Sequence, residues 1–193
     1  DDTSLFDALD TEFPLGFNIL GARNDSEKTL LASDLVGIFR RFSTSWGDRM
    51  QATLSSAIMA ILESEHGGTL LDLRNFLLYP KFRAEFLQSV GDTDIRHYWE
   101  EEHKAFGDER SVGPLVARLD AFLRPKIVRN IVCQKDNRLD FADILNGSKI
   151  LLVKLSQRPP LGKEDSFLLG ALIVAKINQV VQSRQALAEE KRT

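Results

Sequence analysis

The run Ile150, Leu151, Leu152, Val153, Lys154, Leu155 constrains the fold of this chain more than any other stretch. A nearly continuous apolar and β-branched segment reads as a strand of a sheet covered on both faces, and such strands belong to parallel sheets flanked by helices. Its backbone amides and carbonyls need pairing partners. The stretch that follows, about 164–182, is apolar almost all round, with Phe167, Leu168, Leu169, Leu172, Ile173, Val174, Ile177, Val180 and Val181. Such a helix is expected to be largely buried. Strand, short loop and buried helix form one unit of an α/β core, and the sequence predicts that the strands beside it lie outside this chain.

The connection between strand and helix is not a phosphate loop. A P-loop needs G-x-x-x-x-G-K-[ST], so that loop amides cradle phosphates, lysine meets their charge and a hydroxyl holds magnesium. Gly162 and Lys163 are followed here by Glu164 and Asp165, and position 157, five before Gly162, is Gln. Two carboxylates in the first helical turn would repel the phosphate.

Upstream, the periodicity is helical. After a turn-rich opening with Pro14, Gly16 and Gly21, read as an arm packed along a neighbouring element, Asp25 or Ser26 is expected to cap a helix whose stripe is Leu31, Leu35, Ile38 and Phe42. A second helix over about 48–64 carries Met50, Leu54, Ala57, Ile58 and Ile61. Thr69 and Asp72 have capping-box spacing for a third. Pro80 suits the first turn of a fourth, with Phe82 and Phe86 as an i, i+4 pair. Asp92 is expected to cap a fifth that buries Ile95, Tyr98 or Trp99, and Phe106, with Glu100, Glu101 and Glu102 on its exposed side. A sixth starts near Ser111 and carries Leu115, Leu119, Phe122 and Leu123 until Pro125 kinks or breaks it. A helical turn ending at Gly147 precedes the strand. The expected fold class is mainly α: a multi-helix subdomain followed by one strand–helix unit of a larger α/β core. The expected divisions are an arm over 1–24, an all-helical domain over 25–138 and the strand–helix segment over 139–193.

No apolar run reaches the roughly 18 to 20 residues of a spanning helix, and the start Asp1, Asp2 lacks the character of a signal peptide. Any membrane link is therefore expected outside this chain. One cysteine, Cys133, excludes an internal disulfide and a cysteine-based zinc site, which suits a reducing cytoplasm. His97 and His103 are six apart, not at the i, i+4 spacing of helix-borne metal pairs. Glu100, Glu101 and Glu102 are consecutive and point in different directions. Ser55, Ser56 and Ser156 lack a G-x-S-x-G elbow. Catalytic, cofactor and metal residues are accordingly expected to be none in this chain.

Charge is more informative. The net value of −3 hides a segment, 113–138, with six basic residues against two acidic ones. A solvated face is one reading and a nucleic-acid surface the other. On the second, Arg118, Arg124, Lys126 and Arg129 are the DNA-facing candidates. Tyr98 and Trp99 beside Arg96 could stack on single-stranded bases, although their spacing from Ile95 is that of core residues.

The order of these segments resembles a known family. PLGFNIL, SWGDRMQATLSSAIMAILE, TLLDLRNFLLYPKFRAEFL, IRHYWEEE, LDFADILNGSKILLVKLSQ and LGKEDSFLLGALIVAKI together resemble the TraG/TraD-type coupling ATPases of type IV secretion and conjugation, relatives of the HerA- and FtsK-like DNA-pumping P-loop ATPases. The resemblance implies an all-helical domain inserted into a RecA-like motor core, and places 150–155 on a motor strand that carries no P-loop. Walker A and Walker B motifs have no matching positions here, so ATP and magnesium are implied for the parent protein and hydrolysis is not expected of this chain. Implied partners are DNA and a relaxosome or secretion-cargo protein, the latter through the acidic helix around 100–102. The implied assembly is a homo-hexamer in the cytoplasm, held at the inner face of the membrane by segments outside this chain. Arg158, just beyond the strand where ligands of parallel sheets gather, is the candidate for an arginine acting in trans on a transferred phosphate.

Overall fold

The computed structural model describes residues 3–22, 24–105 and 109–185. It is mainly α-helical, with a small parallel sheet of two strands. The chain divides into two compact units, one formed by Asp1–Ile19 with Arg124–Thr193, the other by Leu20–Leu123. The expected helical domain ran to Arg138, whereas compact packing closes it at Leu123.

The helical unit is built from locally capped helices. α1 (Asp25–Arg41) is capped by Asn24, whose side chain accepts from the Glu27 amide at 3.0 Å. Asp25 and Ser26, the expected caps, lie inside the helix, because Asn24 is the residue in extended conformation (φ −152°). Leu31, Leu35 and Ile38 are buried as expected, but Phe42 sits past the last turn and is exposed; Phe39 takes its place in the core. α2 (Asp48–Glu63) buries all five of its expected apolar residues. α3 (Leu70–Leu78) opens with the reciprocal Thr69 and Asp72 capping box. α4 (Pro80–Leu87) has proline at its start, where a missing amide hydrogen costs least. The Phe82 and Phe86 rings lie 4.9 Å apart.

α5 (Thr93–His97), capped by Asp92, runs into a π-helical turn at Tyr98–Glu102 and then α6 (His103–Ala105). Trp99 is buried edge-on against Phe76 at 5.0 Å, while the neighbouring Tyr98 reaches Thr53 through its hydroxyl at 2.9 Å. Both adjacent aromatics are thereby used, and Trp99 is closed to a nucleic-acid base. Phe106, the other expected core residue of this helix, lies outside the described residues. The Arg83 guanidinium lies 4.8 Å over the Trp99 ring and donates to the Phe76 and Leu77 carbonyls at the end of α3. Burial there pushes its pKa down from the usual arginine range. α7 (Glu109–Leu123) completes the unit, and its Asp120 pairs with Arg74 of α3 at 2.8 Å.

The other unit contains β1 (Thr3–Asp7), α8 (Lys126–Val132), α9 (Phe141–Asn146), β2 (Ile150–Lys154) and α10 (Lys163–Gln185). β1 pairs with β2 in parallel, Thr3 opposite Ile150 and Asp7 opposite Lys154. This corrects the expectation that every partner strand lies outside the chain: one comes from the stretch read as an arm. TSLFD carries adjacent Leu5 and Phe6 and no alternation, so no period-2 signal marks it. Phe6 and Ala8 are fully buried, and the Phe17 ring packs on Phe141 at 5.6 Å.

No residue of β2 is buried, unlike the expected strand covered on both faces, and burial of α10 is one-sided. Ile150 and Leu152 are more than half exposed, and so are Phe167 and Val174 on α10, whereas Leu168, Leu169, Leu172 and Ile173 are buried. α10 is long and apolar enough over Lys163–Ser183 to cross a membrane by length and composition alone, which the run-length reading had missed because polar residues interrupt it.

The Asp7 carboxylate bridges Lys154 at 2.6 Å and accepts from the Leu9 amide at 2.9 Å. These two contacts, the lysine first, hold its pKa below the usual carboxylate value. Since the folded value lies below the unfolded one, the stabilisation is fully present above the ordinary carboxylate pKa and is lost as pH falls through the folded value. Asp7→Asn is expected to cost about 0.5–1 kcal/mol near neutrality in urea unfolding, with the gap to wild type closing below about pH 4. In the helical unit, Phe76→Ala is expected to cost about 3–5 kcal/mol through the cavity left beside Trp99 and Phe86, measured by chemical or thermal unfolding.

Candidate nucleic-acid interface

Proline creates the basic site. Pro125 offers no amide hydrogen to continue α7, and with ψ 128° it serves instead as the residue before α8. α8 buries Ile127, Val128, Ile131 and Val132, which leaves Lys126 and Arg129 on the opposite, exposed side. Arg129 donates to the Arg124 carbonyl at 2.8 Å, so its guanidinium lies back toward the start of the helix, beside exposed Arg124. Three cations therefore gather at one helix start, and 124–130 contains no acidic residue. The positive end of the α8 dipole adds to their potential. Arg124 and Lys126 make no ion pair among the described residues.

The base beneath this cluster is held by the opening segment. Phe17 donates to the Ile131 carbonyl at 2.8 Å, Gln134 to the Pro14 carbonyl at 3.2 Å, and Asn137 to the Asn18 carbonyl at 3.0 Å. Asn18 is itself buried and donates to the Lys135 carbonyl at 3.3 Å. These bonds fix the loop that carries exposed Lys135 and Arg138. The sequence marked this whole region by charge alone and did not read α8 as a helix, although Ile127, Val128, Ile131 and Val132 have helical spacing.

Arg118 stands apart. It belongs to the helical unit, where its guanidinium donates to the Pro114 carbonyl at 2.9 Å and the Ser45 carbonyl at 3.1 Å. Those bonds fasten the loop before α2 to α7 and leave fewer donors for a phosphate.

Arg158 is exposed in the turn that follows β2; its amide donates to Ser156 Oγ and its carbonyl accepts from Leu161 at 2.9 Å across the cis Pro159–Pro160 pair. At the start of α10 the Gly162 amide donates to the Asp165 carboxylate at 3.2 Å. The group a phosphate would use is thus occupied by the helix's own first turn. Lys163 lies over the Phe167 ring at 5.8 Å.

His97 faces Glu102 at 3.8 Å, both half-exposed, while His66 packs on Phe86 and His103 on Trp99. Among the described residues no group of three or more His, Cys, Asp or Glu side chains could hold a metal ion. Glu100, Glu101 and Glu102 are exposed on the π-helical turn.

A feature the sequence reading missed is a groove of about 730 Å³ between α1 and α2. Small residues, Ala32, Ser33 and Gly37 facing Ala52 and Ser55, make room for it, with Arg40 among the residues at its rim. Ser33 and Gly37 four apart, and Ala52 and Ser55 three apart, were the available signal. Comparison with family models, with curated proteins and with solved structures finds no match to this chain.

Proposed function

We propose that this chain is part of a DNA-translocating P-loop ATPase of the coupling type, in which Arg124, Lys126 and Arg129 guide the phosphate backbone of DNA. The observation that carries this reading is the acid-free trio of cations at the start of α8, seated on a buried apolar face. Phosphate contacts from such a cluster position nucleic acid without reading its bases. In this reading β1, β2 and α10 are strands and helix of a RecA-like motor core, and the helical unit is the domain inserted into that core. Support comes from chain order, since Leu20–Leu123 lies in sequence between the two segments of the α/β unit. The parent assembles as a cytoplasmic homo-hexamer at the membrane's inner face, ATP and magnesium bind parts of it outside this chain, and Arg158 is the trans-acting candidate.

A second reading, recognition of a relaxosome or secretion-cargo protein, is favoured by the α1 and α2 groove. The groove is lined by small residues, Ala32, Ser33, Gly37, Ala52 and Ser55, together with polar Arg40, Asp48 and Gln51, and small residues allow a partner close approach. The exposed Glu100, Glu101 and Glu102 offer a separate acidic surface for the same purpose.

The experiment is a salt series of DNA binding on wild type and on a variant with Arg124, Lys126 and Arg129 all replaced by alanine. The slope of log affinity against log salt is expected to flatten by about 2 to 3 units, each lost phosphate contact removing roughly 0.7 to 0.9. The loss should be nearly independent of DNA sequence, with unchanged thermal unfolding. An unchanged slope in an intact fold removes the cluster from the DNA path and leaves the cargo reading.

A further inference from the structure

We propose that the turn joining α1 to α2 is a contact site for single-stranded nucleic acid, where Phe42 stacks on a base while Arg40 and Arg41 meet the flanking phosphates. This goes beyond the proposed function by naming a second surface, in the helical unit, and the strand form it takes. It does not rest on the α8 cluster. Arg40 and Arg41 occupy the last turn of α1, whose buried side is made by Leu31, Leu35, Ile38 and Phe39. Both arginines are exposed. Phe42 is the residue at which the helix ends (φ −89°, ψ 12°), and it remains 40% exposed. The turn that carries them is fastened: the Ser43 amide donates to the Arg40 carbonyl at 3.1 Å and its hydroxyl to the Phe39 carbonyl at 2.6 Å. Arg118 donates to the Ser45 carbonyl at 3.1 Å.

Three observations select the ligand. First, these two arginines are not engaged elsewhere. Other long cations of this unit are tied to structure, Lys28 to Glu63 and Asp25, Arg74 to Asp120, and Arg83 to two carbonyls. Among the described residues Arg40 and Arg41 have no ion pair, and Asp48, the one acid of 40–49, is bonded to neither. Second, a pair of guanidinium groups calls for an anion and the exposed ring beside them for a flat apolar face, a combination that a strand of nucleotides repeats at every step. Third, the surroundings are polar. Ser43, Thr44 and Ser45 form the turn itself, so it has no apolar wedge for a lipid bilayer. In the groove that Arg40 lines, Ser33, Gln51 and Ser55 supply hydrogen-bonding groups of the kind that base edges use. A duplex keeps its base faces stacked on one another and offers Phe42 none along its length. The strand has to be single.

The test is fluorescence anisotropy of labelled strands of about twelve nucleotides, titrated with the full chain at low salt. Oligo(dU) and oligo(rU) distinguish a DNA from an RNA source, and an abasic strand of equal length carries the phosphates without the rings. Wild type is expected to bind the abasic strand about tenfold more weakly than the strand with bases. Phe42→Leu keeps apolar bulk at the helix end and removes the ring. It should lose about tenfold on the strand with bases and nothing on the abasic strand or on duplex, whereas Phe42→Trp should bind at least as tightly as wild type. Alanine at both Arg40 and Arg41 should flatten the salt slope for single strands by about 1.4 units, at roughly 0.7 per contact, and lysine at both should keep it. These effects should persist with Arg124, Lys126 and Arg129 replaced by alanine, which separates this surface from the α8 cluster. Circular dichroism controls for folding. Should Phe42→Leu not fold, the abasic strand on wild type decides. Equal binding of abasic and base-bearing strands, a Phe42→Leu loss shared by the abasic strand, or no single-strand binding by wild type would overturn the proposal.

Discussion

The parallel ladder between Thr3–Asp7 and Ile150–Lys154 is the constraint on which the rest of the α/β unit depends. It joins segments separated by 147 positions in register, as in the Lys154 and Asp7 pair. Closing so long a loop is costly in entropy, though the cost grows only slowly with length. Full burial of Phe6, worth about 1.5–3 kcal/mol, and the Asp7 bridge help to offset it. Once the ladder is formed, Pro14 to Asn18 follow directly and meet α8 and the loop after it through the Phe17, Gln134 and Asn137 bonds. The loop and helix beneath the basic cluster are therefore tied by hydrogen bonds to the segment that follows β1.

The helical unit rests on a different device. Arg83, Trp99, Phe76 and Phe86 form an aromatic and cationic stack, in which the guanidinium is partly desolvated yet satisfied by two carbonyls and a π face. The π-helical turn makes this compatible with Tyr98 reaching Thr53, because one extra residue per turn changes which side chains share a face. At the start of α1, Lys28 pairs with Glu63 and Asp25, and Glu63 first and Asp25 second hold its pKa above the usual lysine value. In both places a long cationic side chain is spent on structure, as Arg118 is on Pro114 and Ser45. The number of basic residues in a segment thus overstates what is left to meet a partner.

Much of this was legible in the linear order of residues. The Thr69 and Asp72 box, Pro80 at a helix start, the Asp92 cap, the break at Pro125 and the strand at 150–154 all depend on local chemistry that short windows contain. One cap differed: Asn24 displaced Asp25 and Ser26 because the cap is decided by which residue leaves the helical conformation. Phe42 and Phe39 exchanged roles for the same reason, one helical turn at the far end.

What the sequence determined by itself was the inventory: helical stripes with their stops, one apolar strand, and a basic stretch without acids at 124–130. Only tertiary structure decided which of those parts meet. β1 has no periodic signature, and it became a strand because β2 offered it a ladder. Arg118 and Arg129 look alike in sequence and both donate to carbonyls, yet one fastens two parts of the helical unit and the other lies with Arg124 and Lys126 at an exposed helix start. Hydrogen bonding across more than a hundred residues, such as Asn137 to Asn18, is invisible to any local pattern because neither partner's side chain encodes the address of the other.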